Sequence, residues 1–190
     1  MLNAKKLTTE ETLQTITLKA PYLLFVGSET EPIYAKTAAG LAHWVPEKCM
    51  GQLSLPGGTI DLGLPKHDVV SAAEAGAKSL AIGTSAVGGA IPAAWMPTLI
   101  QALKSGLDIV AGVHTKLNDM PELVAAAKES GASLVDVRVP PKDIPVGTGL
   151  KRTGKRLLTV GTDCALGKKY TALAIARAMQ ERGIDADFRA

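Results

Sequence analysis

The chain has 190 residues, 46% of them hydrophobic and only 4% aromatic, with a formal net charge of +3. That length holds one domain, or one domain and part of another, and a core of Ala, Leu, Val and Ile favours layered α/β packing. The charge is too small, and too little clustered among aromatics, for a nucleic-acid binder. Two cysteines (Cys49, Cys164) and three scattered histidines (His43, His67, His114) have no metal or disulfide spacing, and no apolar stretch has the length of a signal peptide or a membrane span. A cytoplasmic location, away from membranes, is the default expectation.

Residues 1–20 read as a polar N-terminal arm in which Leu13 and Ile16 can share a helical face, or as a loose tail. A Rossmann-like domain is expected over 21–139. Tyr22-Leu-Leu-Phe-Val26 is a continuous apolar run ending at Gly27-Ser28, the pattern of a buried parallel strand. Pro32 suits the first turn of a helix running from Ile33 to about Ala42. The Gly-Ser turn lies at a strand's carboxyl end, where open α/β sheets bind ligands. Gly51 to Leu55 is a second strand, broken by Pro56-Gly-Gly58. Asp68 caps a helix over Val69–Ala75 that Gly76 ends. Ser79–Ile82 is a third strand, and the turn Gly83-Thr-Ser-Ala-Val-Gly-Gly89 lets a ligand approach the backbone or serves only a tight crossover.

Trp95 to Lys104 reads as a helix with Gly106 beyond its end. Asp108–Ala111 is a fourth strand. His114 follows it closely, placed either as an acid or base near neutral pH or as a hydrogen-bonded turn residue. Met120 to Ser130 is a helix, with Asn118 or Asp119 as candidate N-caps and Gly131 as its stop. Leu134–Val137 is a fifth strand, and Arg138 at its end can take a carboxylate bidentately or lie free on the surface. Five β-α units in succession predict a parallel sheet.

Residues 140–156, rich in Pro, Gly and basic side chains, read as a linker or as a basic strap near phosphates. The apolar run Leu157–Val160 then leads into Gly161-Thr162-Asp163-Cys164-Ala165-Leu166-Gly167-Lys168-Lys169 and a helical run from Thr171 to Arg182. Strand, glycine-bounded turn, lysine and helix form the context of a phosphate loop, in which backbone N–H groups and the helix N-terminus receive an anion. The spacing departs from G-x-x-x-x-G-K-[ST]: five residues separate the glycines, and Lys169 stands where the magnesium-binding hydroxyl belongs. Either Thr171 serves the metal, or the loop holds phosphate without one. Ile184–Phe188 alternates as a strand, and 157–190 reads as the opening of a P-loop NTPase-like α/β domain that is incomplete in this sequence.

The string Val160-Gly-Thr-Asp-Cys-Ala-Leu-Gly-Lys-Lys-Tyr-Thr-Ala172 resembles a bacterial two-domain P-loop family, formerly of unknown function, that includes a D-glutamate N-acetyltransferase. Tyr34-Ala-Lys-Thr-Ala-Ala-Gly40, Gly51-Gln-Leu-Ser-Leu-Pro-Gly57, Asp61-Leu-Gly-Leu-Pro65 and Val146-Gly-Thr-Gly149 carry the same resemblance upstream. It implies an acyltransferase of D-amino-acid catabolism. Acetyl-CoA is then the co-substrate, with its phosphates on Gly161 to Lys169, and D-glutamate or a similar amino acid is the acceptor. His114 or Asp163 are the candidate bases, Lys36 and Arg138 the candidate carboxylate contacts, and Cys164 an acyl carrier or a small buried thiol. A homo-oligomer is expected, and the fragment alone is expected to lack activity. Two alternatives stand beside this: a ligase or kinase of the dethiobiotin-synthetase type using ATP and magnesium, and a non-catalytic nucleotide- or CoA-binding module.

Overall fold

The computed structural model describes residues 16–85, 87–139, 146, 149–150, 153–163 and 166–188. The chain divides into two compact units, Met1–Asp143 and Ile144–Ala190.

The first unit is built on five parallel strands: β1 (Tyr22–Gly27), β2 (Cys49–Ser54), β3 (Ser79–Ile82), β4 (Asp108–Ala111) and β5 (Leu134–Asp136). Their spatial order is β2-β1-β3-β4-β5, a doubly wound arrangement whose order reverses between β1 and β3. Four helices join them: α1 (Lys36–Trp44), α2 (Val69–Glu74), α3 (Met96–Lys104) and α4 (Pro121–Ser130). This is the Rossmann-like parallel architecture that the run of β-α units predicts.

Alternation along β1 divides the core. Leu23 and Phe25 pack with the apolar faces of α2, α3 and α4, contributed by Val69, Ala72, Leu99, Leu103, Leu123 and Ala126. Tyr22, Leu24 and Val26 pack on the other face with Ala35 and Ala38 at the start of α1. All six residues of β1 are buried, so it reads as a continuous apolar run rather than an alternating one. Trp95 meets Phe25 edge to face, with ring centroids 5.1 Å apart, a geometry that adds roughly 0.5–1.5 kcal/mol beyond burial.

The two strings around residues 51–65 turn out to be halves of one clasp. Gln52 is fully buried; its Nε2 donates to Ile60 O at 3.0 Å, and its Oε1 accepts from Leu62 N at 2.6 Å. Its backbone N–H bonds Pro65 O at 2.8 Å, and its carbonyl accepts from His67 N at 3.0 Å. The outer edge of β2 is thereby covered by the chain's own loop. At the opposite end of the strands, Lys19 reaches the buried Asp108 at 2.8 Å, and Ser79 Oγ donates to Lys19 O at 2.7 Å. The segment before β1 is therefore strapped to the sheet, with Leu18 against the α1-side core, rather than loose. Leu13 and the rest of the arm before residue 16 lie outside the described residues.

Several boundaries differ from expectation. The first helix is a 3-10 turn, Pro32–Tyr34, followed by α1, because Ala35 leaves helical geometry (φ −97°, ψ 20°). The second strand is shifted to Cys49–Ser54 by its pairing with β1, and the fifth ends at Asp136. Neither Asn118 nor Asp119 caps α4. Met120 holds that position without a side-chain bond, and Asn118 instead donates to Leu134 O and to Asp136.

In the second unit, α5 spans Lys168–Gln180, starting three residues earlier than expected because Gly167 (φ 91°) is its N-cap. The expected strands Leu157–Val160 and Ile184–Phe188 do not form. A strand exists only through a partner's hydrogen bonds, and no strand of this unit is found among the described residues. Leu157, Leu158 and Val160 are 66%, 82% and 79% exposed.

At α2, the Asp68 carboxylate accepts from Ser71 N at 2.8 Å while Ser71 Oγ accepts from Asp68 N at 3.1 Å. These bonds, the backbone one foremost, pull the Asp68 carboxyl below its ordinary 3.8. A depressed folded-state value contributes stability above the ordinary value, and the contribution is lost as pH falls through the folded one. Asp68→Ala is therefore expected to lower the urea midpoint at pH 7. The gap to the parent should close as the titration is carried well below pH 3.8.

Candidate functional site

Parallel pairing brings every strand's carboxyl end to one edge of the first unit. Ala111 of β4 lies opposite Asp136 of β5, and Val137 N bonds Ala111 O at 2.9 Å. His114 and Arg138, leaving these two strands at the same level, meet: Arg138 Nη1 lies 3.1 Å from His114 Nε2. A guanidinium only donates, so Nε2 accepts and the ring proton in this arrangement sits on Nδ1. The pair, with Val113, Val137 and Val139, lines an open cleft of about 410 Å³.

Two features set the pair in place. Asp136 Oδ1 accepts from Leu117 N at 2.8 Å, and its Oδ2 accepts from Asn118 N at 3.3 Å and Asn118 Nδ2 at 2.7 Å. This carboxylate pins the loop that carries His114. The glycine-rich loop closes from the other side. Gly89 O accepts from His114 N at 3.0 Å and Thr115 N at 3.3 Å. Gly89 has φ 69°, and a Cβ there would overlap the His114 ring.

The same loop reaches α1 at its other end. Ala38 N donates to Gly83 O at 2.9 Å and Ser85 N to Tyr34 O at 3.1 Å, and a side chain at Gly83 would overlap Ala38. Lys36, the first residue of α1, is therefore at the β3 end of the loop, while Arg138 follows β5. β4 stands between β3 and β5, so the two strand ends beside which these residues lie are about two strand spacings of 4.8 Å apart. At the turn Gly27-Ser28, a Cβ on Gly27 would stand 3.0 Å from Trp95 Nε1, and one on Gly58 2.8 Å from Gly27 O.

Between Gly83 and Ser85 sits Thr84, only 4% exposed, whose Oγ1 has no hydrogen-bond partner among the described residues. Sequence reasoning missed Thr84 and Asp136. Threonine after a strand carries no distinctive signal, and Asp136 reads as an ordinary strand-end polar residue until its three donors are seen.

In the second unit, Lys168 is the first residue of α5, and its Nζ donates to Asp163 O. Thr159 Oγ1 donates to Lys168 O at 2.9 Å, and a Cβ on Gly161 would lie 3.2 Å from Lys168 Cδ. The lysine thus runs along its own loop, its ammonium held at the turn ahead of a 13-residue helix. Thr162 and Asp163 are exposed, as are Leu166 and Lys169. Lys169 occupies the second helical position, and the Thr171 backbone N–H bonds Gly167 O at 2.9 Å. Cys164 and Ala165 lie outside the described residues. No group of three metal-ligating side chains occurs among the described residues, and no helix among them is long and apolar enough to cross a membrane.

Residues 54–140 match the family model described as a domain of unknown function, DUF1611_N, a Rossmann-like domain. Residues 145–190 match its companion, the DUF1611_C P-loop domain. The chain belongs to the DUF1611 family. Among DUF1611 relatives it is similar to two proteins named D-glutamate N-acetyltransferase. One, from Tritonibacter scottomollicae, is 47% identical over 173 residues; the other, from a Pseudoalteromonas species, is 44% identical over the same length. Each alignment covers 91% of this chain and 52% of the relative, so the chain spans about half the length of the curated relatives it matches. A crystal structure of a DUF1611 family protein from Anabaena variabilis ATCC 29413 superposes with a TM-score of 0.71 at 29% identity, covering 87% of this chain and 51% of that one.

Two substitutions probe the site's construction. Gly89→Ala forces a side chain into the left-handed region and onto the imidazole, at a cost of roughly 1–3 kcal/mol. It should move the His114 ring off Arg138, seen as a change in the ring ¹⁵N shifts. Thr84→Val deletes a buried hydroxyl that has no partner and should raise stability by about 1 kcal/mol in urea denaturation. A fall in stability instead would mean that the hydroxyl is satisfied in solution.

Proposed function

We propose that this chain carries part of an N-acetyltransferase that moves acetyl from acetyl-CoA to the amine of D-glutamate, a reaction of D-amino-acid catabolism. The observation that carries the reading is the 47% and 44% identity, over nine-tenths of the chain, to proteins bearing that name. Because those relatives are about twice as long, the activity is proposed for the whole protein.

The transfer forms a C–N bond between the amine and the acetyl carbon and breaks the thioester C–S bond. The amine gives up a proton, and the sulfur leaves as CoA thiol. The protein must receive the amine's proton and stabilise the oxyanion that develops on the acetyl carbonyl. Gly161 to Lys169 is assigned to the CoA phosphates, with Lys168 as the mobile charge at a helix N-terminus. Lys169, in place of a hydroxyl, suits a loop that grips phosphate without magnesium. Asp163 and His114 remain the candidate proton acceptors. His114 can serve through Nε2 only after Arg138 releases it, because the other ring nitrogen already carries its proton. Arg138 and Lys36 are assigned to substrate carboxylates.

Lys168→Ala, made in the protein at the full length of its relatives, should raise the KM for acetyl-CoA about tenfold or more, since a charge-assisted bond contributes roughly 1.5–3 kcal/mol. The KM for D-glutamate should change little. Acetyl transfer should proceed equally with ATP and magnesium present or omitted. Absence of transfer accompanied by ATP consumption would sink this reading in favour of a ligase.

A further inference from the structure

Arg138 has an unusual partner for a surface arginine. Its guanidinium meets a neutral acceptor, His114 Nε2, and it belongs to neither of the ion pairs found among the described residues, Lys19–Asp108 and Lys66–Asp61. Asp136, two residues before it, has both oxygens committed to the Leu117–Asn118 turn. The positive charge therefore faces the cleft with no carboxylate among the described residues paired to it, beside Val113, Val137 and Val139.

Such a cleft distinguishes the two ends of an acidic amino acid. The α-carboxylate arrives with an ammonium or amine beside it, and that group needs an acceptor or a negative partner. Among the described side chains lining the cleft neither is offered: both Asp136 oxygens are turned to the Leu117–Asn118 turn, and His114 Nε2 already accepts from Arg138. A side-chain carboxylate arrives on methylenes instead, and methylenes suit valine walls. We infer that the Arg138–His114 cleft is the subsite for the side-chain carboxylate of the acceptor, so that Arg138 selects acidic amino acids over their neutral isosteres. This rests on the acetyl-acceptor reading above and narrows it: with Arg138 committed to the distal carboxylate, the reacting amine lies outside the cleft, so His114 serves the subsite and Asp163 is left as the candidate acceptor of the amine's proton.

The logic of selection is that of a charged donor left without an acceptor. D-glutamate offers two oxygens to the guanidinium fork, whereas D-glutamine offers one neutral oxygen and two N–H groups that collide with other donors. The discrimination comes from the difference between a bidentate charge-assisted pair and a single bond to a neutral oxygen at the same guanidinium.

The test uses the protein at the full length of its relatives. Arg138→Gln should lower kcat/KM for D-glutamate about tenfold or more while leaving the low value for D-glutamine unchanged, so that the preference collapses. Arg138→Lys should restore part of it. Equal losses for both substrates, or no loss, would overturn the inference. Binding read without catalysis separates this from the transferase reading. With no acetyl-CoA present, D-glutamate or glutarate should shift the His114 ring ¹⁵N signals in the parent and not in Arg138→Gln. That shift in a protein that never transfers acetyl would uphold the subsite and discard the transferase. Brisk acetyl transfer with His114 unmoved by D-glutamate, or moved by CoA alone, would discard the subsite and keep the transferase.

Discussion

The hydrogen bonds of β1 to β2 on one edge and to β3 on the other fix the strand order, and the strand order decides which loops can meet. From Tyr22 to Phe25 the strand is paired on both sides, and Leu23 to Val26 are wholly shielded from solvent. No polar side chain interrupts that stretch, so the segment has no stable position other than the centre of a sheet with helices on both faces. Once β1 is central and the strands are parallel, β3, β4 and β5 extend to one side in sequence order. Every loop leaving their carboxyl ends is delivered to one edge. The glycine-rich loop, His114 and Arg138 become neighbours by that rule alone, although residues 83 and 138 are far apart in the chain.

The sequence made most of this first unit legible because each of its elements carries its own local cause. β3 and β4 have the predicted bounds, since four apolar-rich residues between a helix-ending glycine and a turn leave no alternative. Asp68 caps α2 as expected because its partner is Ser71, three residues on, within the reach of a local pattern. What stayed illegible is non-local. Asn118 looks like an N-cap, but Asp136 on a later strand competes for it and wins with a charge-assisted bond. Gln52 looks like an outward polar residue of a strand, yet it is buried because two backbone groups eight and ten residues later complete its hydrogen bonds. His114 and Arg138 could each be placed at a strand end from sequence. That they touch required the β4–β5 register.

The second unit shows the converse. Leu157–Val160 has the composition of a buried strand, and α5 has the apolar stripe of a helix that covers one. Composition supplies propensity, but a strand is a relation between two backbones, and propensity alone leaves it unformed. The helix needs no such partner, because its hydrogen bonds are internal, and it forms where Gly167 turns the chain into it. The loop before it keeps its lysine engaged for a related reason. An ammonium beside a carbonyl takes the nearest acceptor, here Asp163 O, and that contact holds the charge at the mouth of the helix.

The pairing of arginine with histidine, rather than with a carboxylate, is the feature of the first unit that most constrains its chemistry. An arginine bonded to an aspartate is oriented but electrically spent, and an incoming anion must displace that aspartate. An arginine bonded to a neutral imidazole is oriented and keeps its charge. The cost of holding it is small, because both side chains are exposed and the guanidinium charge is not taken out of water. Asp136 contributes to the same end from a distance. By binding Leu117 and Asn118 it fixes the loop on which the histidine rides, and in doing so it removes itself as a competitor for the guanidinium. Gly89 supports the ring from behind, and any side chain there would displace the imidazole from the arginine. The arrangement is thus an oriented guanidinium that keeps its charge, set between an imidazole and three valines.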